Sequence, residues 1–136
     1  AALAYYTLGC VYTDTENHLA AIEAYLKAKD LFPDTLIRYY ALTECLLGLE
    51  YVNSSAYDYA ENHLLCAMNN ADRLNDVHTY CISRYNYALC LLHRRDFETA
   101  EQYFLEFLDN EAYSEYYRIY PLLQLAKIYY LHYIQT

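Results

Sequence analysis

Small residues return along this chain at a nearly fixed interval. Gly9, Gly48 and Ala88 are separated by 39 and 40 residues, and Ala21, Ala60 and Ala100 follow with the same separations. An interval of that size is the length of one supersecondary building block, so its recurrence restricts the chain to blocks stacked on one another. Large apolar residues stand three and four positions from the small ones, which is the spacing of a single apolar stripe along an α-helix. A small residue within such a stripe marks a place where two helices approach closely.

The chain of 136 residues holds only 2 Gly and 2 Pro. An all-β fold needs far more turn punctuation than this, whereas helices joined by short polar turns do not. The pattern predicts helices over 2–14, 17–32, 35–52, 55–72, 76–93, 96–110 and 114–133. Asp34 or Thr35, Ser54 or Ser55, and Asp96 stand where side chains can cap helix starts, and Pro33 stops the second helix. Pro121 falls within the last span, so that helix either starts near Tyr120 or is kinked at the proline.

The residues within each interval are specific. The first repeat reads Tyr5-x2-Leu8-Gly9-x2-Tyr12, then Ala21-x3-Tyr25, Ala28 and Pro33. The second reads Leu47-Gly48-x2-Tyr51, then Ala60-x3-Leu64 and Ala67. The third reads Tyr87-Ala88-x2-Leu91, then Asp96-Phe97-Glu98-x-Ala100-x3-Phe104, and a fourth begins as Leu125-Ala126-x2-Tyr129. This pattern resembles the tetratricopeptide repeat family, with Tyr5 in the place of the usual Trp and Tyr25 in the place of Phe. The interval exceeds the family's usual 34 residues, and the surplus is expected in longer helices or longer connections. Long-period repeats of this kind are similar to those of bacterial regulators that carry tetratricopeptide sensor domains.

The resemblance implies an all-α, right-handed superhelical solenoid of antiparallel helix pairs, with about 3.5 repeats and seven helices. It implies one repeat domain over 1–136, with repeats near 2–35, 41–75 and 81–114 and an incomplete one at 119–136. The unfinished repeat and the lack of an initiator Met are read as a fragment of a longer protein.

Charge narrows the partners. The formal net charge is −9, the nine Lys and Arg residues are scattered, and only Arg94 and Arg95 are adjacent. Nucleic acid and anionic membrane surfaces are therefore poor partners. No apolar run approaches the roughly 20 residues of a membrane span. The five cysteines, Cys10, Cys45, Cys66, Cys81 and Cys90, are odd in number and lie in helical stretches, which reads as reduced core thiols. A cytoplasmic setting follows, or a periplasmic one if a targeting segment has been removed.

Three pairs have the look of metal ligands: His63 with Cys66, His78 with Cys81, and Cys90 with His93. In an antiparallel hairpin of helices 55–72 and 76–93, His63 and His78 point to opposite ends, so four ligands cannot converge. Glu23, Glu61, Glu98, Glu101 and Glu106 lie beside Lys27, Lys29 and Arg73 on helical faces and read as solvated charge. No phosphate-binding glycine loop, nucleophile elbow or Ser-His-Asp set is present. The chain is read as no enzyme, with no cofactor and no metal.

What remains is binding. A stack of helical hairpins offers a concave face, lined in this family by the first helix of each repeat. The residues expected there are Tyr6, Cys10, Leu49, Tyr85, Asn86, Leu89, His93, Gln124, Lys127 and Tyr130. Tyrosine, at 20 residues with no Trp, suits such a surface because it joins an apolar ring to a polar tip. The Lys, Arg and Asn clamp with which some family members grip a peptide C-terminal carboxylate is replaced here by Tyr6, Cys10 and Cys45. The reading is a protein- or peptide-binding scaffold, a sensor or adaptor module of a larger regulator. The alternative is a structural or self-associating repeat segment without its own ligand. A metal-binding or enzymatic domain is the remaining, remote alternative. Helix 114–133 is apolar on more than one side, and a homodimer through it is expected.

Overall fold

In the computed structural model, which describes residues 1–109 and 115–134, seven α-helices follow one another and no strand occurs among the described residues. They are α1 (Ala2–Asp14), α2 (His18–Leu31), α3 (Ile37–Asn53), α4 (Tyr57–Arg73), α5 (Val77–His93), α6 (Phe97–Asp109) and α7 (Glu115–Ile128). A 3-10 turn, Asp34–Leu36, precedes α3, and a π-helical turn, Tyr129–Ile134, follows α7. Helices consecutive in the chain pack together, α1 on α2, α2 on α3, α3 on α4 and α6 on α7. The all-α helical repeat expected from the sequence is the fold.

The long interval comes from long helices. In the first hairpin α1 and α2 have 13 and 14 residues, whereas α3 and α4 have 17 each. The turns, by contrast, are alike. After α1, the N–H of Asn17 bonds the carbonyl of Tyr12 and the N–H of Glu16 bonds that of Thr13. The same pair of bonds closes α3 (Ala56 to Tyr51, Ser55 to Val52), α4 (Asp76 to Ala71, Asn75 to Asp72) and α5 (Asp96 to Leu91, Arg95 to Leu92). This is the Schellman arrangement, which places one residue in the left-handed region and is usually built on glycine. Here Glu16, Ser55, Asn75 and Arg95 occupy it, with φ of 59°, 63°, 54° and 66°. Turn chemistry of this kind explains how two glycines suffice for so many reversals.

The caps differ from expectation. Ser54 ends α3 and Ser55 is the left-handed residue, so the first helical residues of α4 follow Ala56, which offers no side-chain bond. Asp34 opens the 3-10 turn instead of capping α3. Asn17, whose side chain accepts from Ala20 N–H, and Asp76, which accepts from both the N–H and hydroxyl of Thr79, do act as caps. Pro121 lies inside α7, so the helix forgoes one backbone hydrogen bond there.

The chain forms two compact units, Ala1–Tyr87 and Ala88–Thr136. In the first, Ala21, Tyr25 and Leu47 make a core against which Tyr6, Cys10, Tyr12, Ile22, Leu46 and Tyr51 pack. The small residues are where the helices meet most closely. A Cβ on Gly9 would lie 2.4 Å from the Tyr25 ring, and one on Gly48 would lie 2.5 Å from Leu64 Cγ. In the second unit, Phe97, Ala100, Phe104 and Phe107 form the buried stripe of α6, and Pro121 and Ile128 are buried on α7.

Candidate functional site

Within Ala1–Tyr87 the first helices of successive hairpins lie side by side. Tyr6 on α1 meets Tyr39 on α3 edge to face at 5.8 Å, and Asn86 on α5 donates to Cys45 Sγ on α3 at 3.5 Å. Several side chains that the sequence assigned to a binding surface lie on these helices. Tyr6 and Cys10, four residues apart on α1, are both half-buried, as are Leu49 on α3 and Tyr85 on α5.

Tyr6, Cys10 and Asn86 also have packing roles. The Tyr6 ring also touches Tyr25 and Phe32, at 6.4 and 6.5 Å. Burial and then the neighbouring Cys10 push its hydroxyl up to about 12. Cys10 Sγ is within 3.7 Å of the Tyr25 hydroxyl. Asn86 is buried, at 4% exposure, with its amide on Cys45. Burial raises the Cys45 thiol to about 11 against the opposing bonds from Ser83 and Asn86. In Ala88–Thr136, Leu89 and Gln124 are half-buried, and His93, Lys127 and Tyr130 are exposed.

The chemistry that sequence reasoning missed lies in α3. Glu44 and Glu50 are each 1% exposed. Glu50 Oε1 accepts from the Thr13 hydroxyl at 2.6 Å, and its Oε2 lies 2.6 Å from His18 Nδ1. A carboxylate only accepts, so His18 must carry its proton on Nδ1. The Thr13 hydroxyl hydrogen is committed to its bond with Glu50, so the Tyr25 hydroxyl donates to Thr13 at 3.0 Å. The result is a polar thread from α2 through α1 to α3 at the turn between α1 and α2.

Glu44, six residues earlier, joins α3 to its other neighbours. Its Oε2 lies 2.8 Å from His63 Nδ1 on α4, and Lys29 Nζ on α2 stands 2.6 Å from Oε1. The lysine lies off the hydrogen-bonding direction of Oε1, which leaves that contact an ion pair without a hydrogen bond. Burial raises the carboxyl's pKa, but His63 and Lys29 outweigh it and hold Glu44 below the usual carboxylate range. Lys29, expected on a solvated face, is thus a half-buried counterion that also stands 6.0 Å over the Tyr40 ring. Two glutamates within the otherwise largely apolar stretch 41–52 were the available signal.

The residues of the three metal-like pairs have separate surroundings. His63 stacks on Tyr51 at 5.3 Å and bonds Glu44, Cys66 is 3.5 Å from the Asn70 amide, and His78 and His93 are exposed. Among the described residues, no three His, Cys, Asp or Glu side chains gather as a metal ion would require.

Paired helices with aligned first members and a polar-locked core define a helical-repeat scaffold. Residues 2–35, which span α1 and α2, match the family model described as tetratricopeptide repeat, which supports the family resemblance seen in the sequence. No curated protein matches the chain. Tetratricopeptide repeats generally mediate protein–protein interaction, and their fold is typically a non-enzymatic scaffold. No helix among the described residues is long and apolar enough to cross a membrane.

Proposed function

We propose that the chain is a polypeptide-binding module of a larger regulatory protein, a sensor or adaptor, and that it grips an extended or helical peptide on the first-helix side of Ala1–Tyr87. The observation that supports this reading is the adjacency of α1, α3 and α5 through the Tyr6–Tyr39 and Asn86–Cys45 contacts, together with the half-burial of Tyr6, Cys10, Leu49 and Tyr85 on those helices. Half-buried tyrosines with rigid backing are the residues that anchor protein partners. Asn86 and Cys45 form the floor beneath them. Within Ala88–Thr136, Leu89 and His93 at the end of α5, and Gln124, Lys127 and Tyr130, are assigned as that unit's own contacts. With five free cysteines, one held up by burial, the module suits a reducing compartment such as the cytoplasm.

The test is selection of binding peptides from a random displayed library on the immobilised chain. Selected peptides should lose at least about 10-fold in affinity on Tyr85→Ala or Leu49→Ala, and none on Glu23→Ala, which lies on the exposed side of α2. Peptides that ignore the first two changes and respond to the third would reject this surface.

A further inference from the structure

The outward side of α7 and of the π-helical turn after it carries a second surface, apart from the peptide reading of Ala1–Tyr87 but sharing Lys127 and Tyr130 with the contacts assigned to Ala88–Thr136. Leu122, Leu123, Tyr129, Tyr130, Tyr133 and Ile134 are 53–61% exposed. At 100° per residue the α-helical members fall within one arc, opposite the buried Pro121 and Ile128. The π-helical turn extends that arc. Its i to i+5 bonding widens the helix, so Tyr133 stays near Tyr129 (ring centroids 5.5 Å apart) while half-buried His132 turns inward to Phe97 at 5.2 Å. Six large apolar side chains are thereby held on one side.

We propose that this face pairs with the same face of a second copy of the chain. The first argument is area. Three tyrosines and three aliphatic side chains, each a little more than half exposed, present roughly 700 Å². A patch on a typical monomer reaches about 300–600 Å², whereas one side of a standard interface has about 800 Å². The second argument is self-complementarity. Two copies related by a twofold bring one patch against itself, so any concentration of one charge opposes pairing. Among the arc's residues from Tyr120 to Ile134, the charged one is Lys127, at its margin, where a long stem lets the ammonium stay in water. Tyrosine suits self-pairing because its ring edge and face attract one another and its hydroxyl both donates and accepts. The Tyr133 hydroxyl already donates to Glu101 at 3.4 Å, which orients that ring.

The chain's net charge of −9 works against association of any two copies. Pairing through an apolar face should therefore strengthen several-fold as salt rises from about 50 to about 500 mM, because screening removes the repulsion and leaves the apolar contact. An interface built on ion pairs responds in the opposite sense.

Sedimentation equilibrium of the 136-residue chain tests this over roughly 5–300 μM, the range in which a micromolar Kd is read. The expected result is a mass rising from monomer to dimer, stronger in high salt. Leu123→Glu and Tyr130→Glu, at solvent-exposed positions that leave helical circular dichroism unchanged, should each weaken it at least about 10-fold. Leu19→Glu, at a 78% exposed apolar site on α2, should leave it unchanged. A monomer at every concentration and salt would overturn the proposal and assign the face to a different protein or to a further helix. A dimer that survives both α7 variants, or that is lost with Leu19→Glu, would overturn it equally.

Discussion

Replacing Gly48 by alanine tests the helix contacts through a change of sign. In an unconstrained helix interior, alanine is better than glycine by about 1 kcal/mol, because glycine loses more backbone freedom on folding. At Gly48 the added Cβ would stand 2.5 Å from Leu64 Cγ and 2.6 Å from its Cδ2, and 3.4 Å from the carbonyl oxygen of Ala60. Carbon atoms in contact prefer about 3.5–4.0 Å, so α3 and α4 must separate by about 1 Å or Leu64 must move. Leu64 is fully buried and branches at the clashing atom, so it has nowhere to retract. Overpacking of this kind costs about 1–3 kcal/mol, which outweighs the propensity gain and leaves a net loss of about 1 kcal/mol. With a urea m-value near 2 kcal/mol/M, the midpoint falls by roughly 0.5 M. In a Leu64→Ala background the obstacle is gone, and the same Gly48→Ala change should stabilise by about 1 kcal/mol relative to Leu64→Ala alone. A Gly48→Ala protein that melts at higher urea than wild type would refute the close approach of α3 and α4.

Further outcomes follow from the same geometry. Ser55→Gly should stabilise by about 0.5–1 kcal/mol, since it relieves a left-handed backbone at φ 63°; Asn75→Gly should do less, because asparagine tolerates that region, and urea melts of both check the order. Lys29→Ala should destabilise by about 3 kcal/mol by removing the lysine counterion of the buried Glu44, whereas Lys29→Ala paired with Glu44→Leu should recover most of the loss. Stability against pH should form a plateau. Glu44 and Asp76 have lowered pKa values despite burial, so their contributions are present above their usual values of 4.5 and 3.8 and are lost as pH falls through the depressed ones. Tyr6, raised mainly by burial from 10.0 to about 12, contributes below pH 10 and loses that contribution as pH rises towards 12. Urea midpoints from pH 2 to 12 read both edges, and a maximum below pH 4 would contradict the assignment of Glu44.

The repeating framework was legible because helix packing writes itself into residue size. Gly9 and Gly48 must be small because Tyr25 and Leu64 fill the space beside them, and Pro33 ends α2 because it cannot continue a helix. The turns were less legible. Ser54 and Ser55 have the chemistry of caps, but Schellman bonding put Ser55 in the left-handed region, and nothing local distinguishes that serine from a cap. Lys29 read as surface charge for a similar reason: its partner Glu44 is 15 residues away, on the next helix, and only the packing of α2 on α3 brings them together. For the candidate surface, periodicity could not say that Asn86 would be buried against Cys45 while Leu49 and Tyr85 stay half-exposed. Burial of that kind depends on helix rotation by a few tens of degrees, which sequence spacing does not resolve.

The central claim is that the first-helix side of Ala1–Tyr87 holds a polypeptide. Amide chemical-shift mapping with a peptide selected from a random library tests it most directly. The account predicts that titration shifts resonances of Tyr6, Cys10, Leu49 and Tyr85 and their helical neighbours at i±3 and i±4, leaving the exposed side of α2, marked by Glu23 and Lys27, unmoved. Shifts confined to α2 and the outward side of α4, with α1, α3 and α5 silent, would contradict it.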